Sequence, residues 1–77
     1  MEIKVKLYGM FSYELNKESI ILSDINDSEK LVVFLKNYHP VFINTPFRLA
    51  LNNKMIHDLV YFNHNDELAV MPPFSGG

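Results

Sequence analysis

The sequence predicts a two-layer α+β domain, a mixed sheet of about four to five strands packed on one main helix. Three observations lead there. Ile3, Val5 and Leu7 alternate with Glu2, Lys4, Lys6 and Tyr8, the period-two pattern of a strand with one buried face. Leu31, Phe34, Leu35 and Tyr38 recur at the spacing of a single helical stripe, behind a capping residue at Asn26 or Asp27. Glu67, Leu68, Ala69, Val70 and Met71 form a last strand that Pro72-Pro73 must end, because proline donates no ladder hydrogen bond.

Each element has its own justification. Gly9 permits a bend after the first strand. Asn16-Lys17 supplies a turn, and Ser-Ile-Ile-Leu-Ser at 19–23 reads as a second strand hairpinned to the first. The one expected helix covers residues 27–38, with Glu29 in its first turn where the helix dipole favours negative charge. Pro40 stops it and restricts His39. Residues 41–46 read as an irregular connection, since Asn44-Thr45-Pro46 interrupts any regular element. Residues 47–51 follow as a third strand, Asn52-Asn53 as a turn and residues 54–56 as a short return strand. Residues 63–66 make the last turn.

Bulk properties narrow the function. A chain of 77 residues makes one domain and buries only about 60% of its unfolded surface. A ligand pocket of roughly 300–1,000 Å³ would remove much of such a core, so a carrier or binding module is expected rather than a self-contained enzyme. There is no cysteine, hence no disulfide, thiolate metal site or cysteine nucleophile. The net charge of -2, with scattered Lys and Arg, argues against nucleic acid as partner. No signal peptide and no membrane span is expected, and the chain reads as cytoplasmic.

The terminus carries the chemistry. Gly76 and Gly77 are two of only three glycines and follow Pro72-Pro73-Phe74-Ser75. At a glycine frequency of about 7%, a terminal pair arises by chance in roughly one chain in two hundred. Lacking Cβ, such a tail can thread a constriction that rejects other residues. Residues 1–73 are therefore expected to form the domain, and residues 74–77 a flexible reactive tail. From Pro72 onward the chain can reach about 20 Å.

The order strand, strand, helix, strand, short strand, strand matches the β-grasp, or ubiquitin-like, fold. There the first and last strands pair in parallel at the sheet centre. Residues 65–77, Asn-Asp-Glu-Leu-Ala-Val-Met-Pro-Pro-Phe-Ser-Gly-Gly, resemble the end of the small subunit of molybdopterin synthase, in the ubiquitin-like sulfur-carrier family. The resemblance extends in outline to the opening strand and the capped helix; only the tail is specific. Asn65 departs from the glycine usual there. The resemblance implies that an E1-like activating enzyme adenylates the Gly77 carboxylate with ATP, and that sulfur transfer then gives a thiocarboxylate. It implies docking on a larger catalytic subunit, as a heterotetramer. Pro72, Pro73, Phe74, Ser75 and Gly76 would enter that subunit's pocket, and sulfur would pass to a pterin precursor in molybdenum cofactor synthesis. No cofactor would be bound by the carrier itself, and alone it would catalyse nothing. The rival readings are the sulfur carrier of thiamin thiazole synthesis and a ubiquitin-like protein modifier.

Other residues admit plainer readings. Phe74 is expected to anchor at the mouth of a partner's pocket, being hard to bury after the last strand. Met71, Ala69 and Tyr8 are expected on the sheet face away from the helix, where together they would mark an interface; packing beneath the 39–47 connection is the competing reading. His39, His57 and His64 lack metal-site spacing and read as loop residues. Asp24, Asp27 and Glu29 are explained by helix-start chemistry. Phe34, Phe42, Phe47, Phe62 and several of the tyrosines are most simply core.

Overall fold

The computed structural model describes residues 1–73. Along the chain run β1 (Glu2–Leu7), α1 (Met10–Leu15), β2 (Ser19–Ser23), α2 (Ser28–Tyr38), α3 (Val41–Asn44), β3 (Arg48–Leu51), β4 (Lys54–Met55) and β5 (Glu67–Met71). The strands form one sheet in the order β2-β1-β5-β3-β4. β1 and β5 pair in parallel at its centre, with Val5 opposite Leu68 and Leu7 opposite Val70. The other neighbours are antiparallel. This is the expected mixed sheet, and the expected central pair.

The alternation in β1 sends Ile3, Val5 and Leu7 to one face, where Ile20, Leu22, Leu49, Leu68 and Val70 join them under α2. Leu31 and Leu35 complete that layer from the helix and are fully buried. α2 starts where capping chemistry dictates. The Asp27 carboxylate accepts a hydrogen bond from the Lys30 N–H at 2.8 Å, satisfying one of the helix's orphan donors. At its far end His39 is extended and Pro40 follows. Residues 60–62 are latched to the helix start by Ser28 N–H to Val60 C=O (3.0 Å) and Phe62 N–H to Asn26 C=O (2.8 Å).

Besides the tyrosines, all four of which lie exposed rather than in the core, with their hydroxyls open to solvent, two expectations are corrected. Gly9 does more than bend the chain: it precedes a six-residue helix, α1, that buries Phe11 completely. The β1–β2 connection is therefore helical, and α2 is not the sole helix. The second correction concerns residues 41–46, which are not irregular throughout. Pro40 lies in the helical region (φ -58°, ψ -23°), and its carbonyl accepts from Ile43 N–H at 2.9 Å and Asn44 N–H at 3.0 Å, opening α3. The proline that terminates one helix thus initiates the next. Thr45 and Pro46 then end it, as the Asn44-Thr45-Pro46 run suggests.

Both short helices are held by one aromatic cluster. The Phe11 and Phe42 rings stack with centroids 5.2 Å apart, and Phe47 meets them edge-on at 6.1 and 5.6 Å. Such arrangements add about 0.5–1.5 kcal/mol beyond the area buried. The cluster lies under one end of the sheet, since Phe11 follows β1 and Phe47 precedes the Arg48 that pairs with Met71. No helix among the described residues is long and apolar enough to cross a membrane.

Candidate functional site

β5 is hydrogen-bonded on both sides, to β1 and to β3, so the chain leaves the sheet from its middle. Tyr8 N–H donates to Val70 C=O at 3.0 Å, close to the end of the β1 ladder. Pro72 and Pro73 come next and are half-buried. Having no N–H, neither can extend the ladder. The chain's direction at Pro72 is therefore set by the sheet and by Pro72's own packing.

That packing is against Gly9. Its backbone has φ 58° and ψ -133°, a combination open to glycine and costly for other residues. A Cβ built there would lie 3.0 Å from Pro72 Cγ and 3.4 Å from Cδ. The α1 helix springs from the same glycine, so Phe11 in the aromatic cluster indirectly fixes the strand exit. Gly9 escaped the sequence reading as a site residue. Its signal was present, a lone glycine directly after a strand, but its partner lies 63 positions away (72 − 9 = 63).

The open sheet face surrounds this exit. Registers place Lys6, Lys4, Glu67, Ala69, Met71, Arg48 and Ala50 on the side away from α2, and Tyr8 lines a hollow together with Lys4 and Lys6. Ala50 faces Ala69 across β3 and β5, and Met71 and Met55 flank them. Tyr8 is 46% exposed and Met55 41%, while Ala50 is only 4% exposed. Met71, Ala69 and Tyr8 thus share the outer face as expected, and the competing reading of burial beneath 39–47 fails. Arg48 and the Lys6–Glu67 pair, at 3.7 Å, give the patch a charged rim. That ion pair is half-exposed and adds little stability, about 0–1 kcal/mol.

The other expected site residues, Phe74, Ser75, Gly76 and Gly77, lie outside the described residues. The histidines have local roles. His39 Nδ1 accepts the Val41 N–H at 3.0 Å, and His64 Nδ1 accepts the Glu2 N–H at 2.9 Å. Among the described residues no group of three or more His, Cys, Asp or Glu converges. A broad open groove of about 800 Å³ runs between α2 and β3, lined by Val32, Val33, Phe47, Leu49, Ile56 and Leu59. It is a surface trough on the helix side of the sheet, and the core is intact beneath it.

No family model matches the chain, and no curated protein aligns with it. Solved structures do. A chain from the complex of subunits 1 and 2 of molybdopterin-converting factor of Helicobacter pylori superposes with a TM-score of 0.74, at 22% identity over 100% of both chains. SAMP1 from Haloferax volcanii gives 0.76 at 18% identity, again over 100% of each. The small archaeal modifier protein 1 from Methanosarcina acetivorans gives 0.77 at 19% identity, covering 99% of this chain and 96% of that one. The shared architecture is the β-grasp, or ubiquitin-like, fold.

Proposed function

We propose that this chain is a sulfur carrier that delivers sulfur bound to its own C-terminal carboxyl carbon, and that it serves as the small subunit of a molybdopterin synthase. One observation carries the reading. The central strand of a β-grasp sheet leads through Pro72-Pro73, braced by Gly9, to the sequence Phe-Ser-Gly-Gly, and the adjoining sheet face carries Met55, Ala69, Met71 and Tyr8. The full-length likeness to a chain of the molybdopterin-converting factor complex supports a larger catalytic subunit as partner.

The chemistry follows from the carboxylate. As an anion it is a poor electrophile, so an E1-like enzyme must activate it. The Gly77 carboxylate attacks the α-phosphorus of ATP and expels pyrophosphate. Sulfide sulfur from a donor then attacks the acyl carbon and expels AMP, leaving a thiocarboxylate. Residues 72–76 position that sulfur in the partner's pocket, and the partner performs the transfer to a pterin. Ordering such a tail costs about 1–2 kcal/mol per residue, which docking on the open sheet face offsets. The carrier itself catalyses nothing and holds no cofactor.

A second reading has its own support. Two of the similar structures named above are small archaeal modifier proteins, so conjugation of Gly77 to lysines of other proteins is the alternative. Intact-mass measurement of the chain from its native cell separates the two. Exchange of one oxygen for sulfur at Gly77 supports the carrier. High-mass adducts through Gly77, with no sulfur-bearing species, support the modifier and refute the carrier.

A further inference from the structure

The sheet has two edges, and they differ. β4 is two residues long and carries the exposed Lys54, a short charged edge of the kind that discourages pairing. β2 is five residues of Ser-Ile-Ile-Leu-Ser, with no charge and no proline. Leu7 N–H donates to Glu18 C=O (2.9 Å) and Asp24 N–H to Met1 C=O (3.0 Å). The antiparallel alternation between those two bonds turns the backbone of Ile20 and Leu22 toward β1. The N–H and C=O groups of Ser19, Ile21 and Ser23 therefore point outward. Ile21 is 58% exposed at the centre of this row.

Donors and acceptors alternating two residues apart are matched by another extended polypeptide. Charge selects which one. Exposed Glu18 and Asp24 bracket the strand; the Met1 ammonium lies 3.9 Å from the Asp24 carboxylate, a long pair that leaves that side chain open to solvent and to a competing cation. In a symmetric antiparallel pairing of two copies about Ile21, Glu18 would face Asp24 of the second copy at both ends, like charge against like. A strand with basic residues at those two positions reverses the sign. Beside the edge, Ile20, Leu22 and Tyr38 line a hollow of about 370 Å³. Lys17 sits at the same hollow, with its ammonium 3.2 Å from the Tyr38 hydroxyl.

We propose that the β2 edge docks an extended segment of another protein, apolar at its centre and carrying Lys or Arg opposite Glu18 and Asp24. Its inward side chains fill the Ile20–Leu22–Tyr38 hollow. The edge lies two strands from β5, so a segment bound there leaves the chain's exit free. The proposal stands independently of the sulfur-carrier reading.

The probe is the end-blocked heptapeptide Lys-Thr-Val-Val-Val-Thr-Lys, titrated to about 1 mM into nitrogen-15-labelled full-length protein. Amide exchange at Ser19, Ile21 and Ser23 should slow by about tenfold or more, with Lys54 unchanged. Ile21→Pro removes the central outward donor and should weaken binding about tenfold. Should that variant fail to fold, Glu18→Lys with Asp24→Lys serves instead: it should release this peptide and accept Glu-Thr-Val-Val-Val-Thr-Glu. The proposal is overturned by absence of protection at that concentration, by protection confined to other residues, or by indifference to the charge swap. Dimerisation of the peptide-free protein through these same amides overturns it too, assigning the edge to a second copy.

Discussion

A Cβ placed on Gly9 would stand 3.0 Å from Cγ of Pro72, closer than such carbons ordinarily approach, on a backbone with φ 58°. Two separate costs therefore meet at one residue, the strained backbone and the crowded ring. Gly9→Ala should destabilise the domain by about 1–3 kcal/mol, read as a lower urea midpoint at unchanged slope. It should also displace Pro72, visible as chemical-shift changes at Val70 and Met71. An alanine variant as stable as the parent would falsify the brace.

The α2 cap gives a cleaner stability test. Asp27 accepts from Lys30 N–H through its side chain, and its backbone enters the helix from the extended region (φ -153°, ψ 167°). Asp27→Ala should cost about 1 kcal/mol, whereas Asp27→Asn, which keeps an acceptor oxygen, should lose much less. Equal losses in the two variants would mean that the negative charge at the helix N-terminus, which both remove, matters at this position and not the cap hydrogen bond.

Phe11 and Phe42 couple α1 to α3 through stacked rings 5.2 Å apart and 4° from parallel. Both are almost wholly buried, so truncation to alanine would cost about 3–5 kcal/mol, comparable with the whole stability of a domain this small. Leucine is the usable substitution. A cycle of Phe11→Leu, Phe42→Leu and the double variant should return a coupling of about 0.5–1.5 kcal/mol in denaturant unfolding. Simple additivity would show that the rings merely fill volume.

These same phenylalanines mark where sequence reading stops. Ile3, Val5 and Leu7 repeat often enough to declare a strand, and Leu31, Phe34, Leu35 and Tyr38 span two turns of one face. α1 and α3 run for six and four residues, too few for a period of 3.6 to register. They are helical because Phe11 and Phe42 find each other, a contact between residues far apart in the chain. The outer face was legible where it lay on β5, at Ala69 and Met71, but Ala50 and Arg48 join it only through the register of β3. Gly9 likewise acquires its meaning from Pro72 alone.

Ala69 offers a way to test the open face without touching the core. It lies between Lys6 and Ala50 on the central strand, pointing away from α2. On the sulfur-carrier reading, Ala69→Asp puts a carboxylate that docking must desolvate into the middle of the patch and should reduce co-purification with the catalytic subunit at least tenfold. Its effect on the melting temperature should stay within a few degrees, because the new carboxylate can reach solvent. Undiminished association would move the interface elsewhere, the groove beside Val33 being the next surface to test.

The carboxylate itself can be tested by lengthening the chain. If Gly77 must present a free carboxyl to ATP, one residue added after it moves that group by roughly 3.5 Å and bars the glycine carbon from activation. Added serine should abolish adenylation, measured as ATP–pyrophosphate exchange with the activating enzyme, and should leave thermal unfolding unchanged. Gly76→Val probes a different requirement: the β-branched side chain narrows the conformations available to the penultimate residue and adds bulk where a channel would close around backbone. It should impair sulfur delivery more than association. Full delivery by both variants would remove the tail from the mechanism, whereas loss in the first alone would keep the terminal carboxyl and discard the threading requirement.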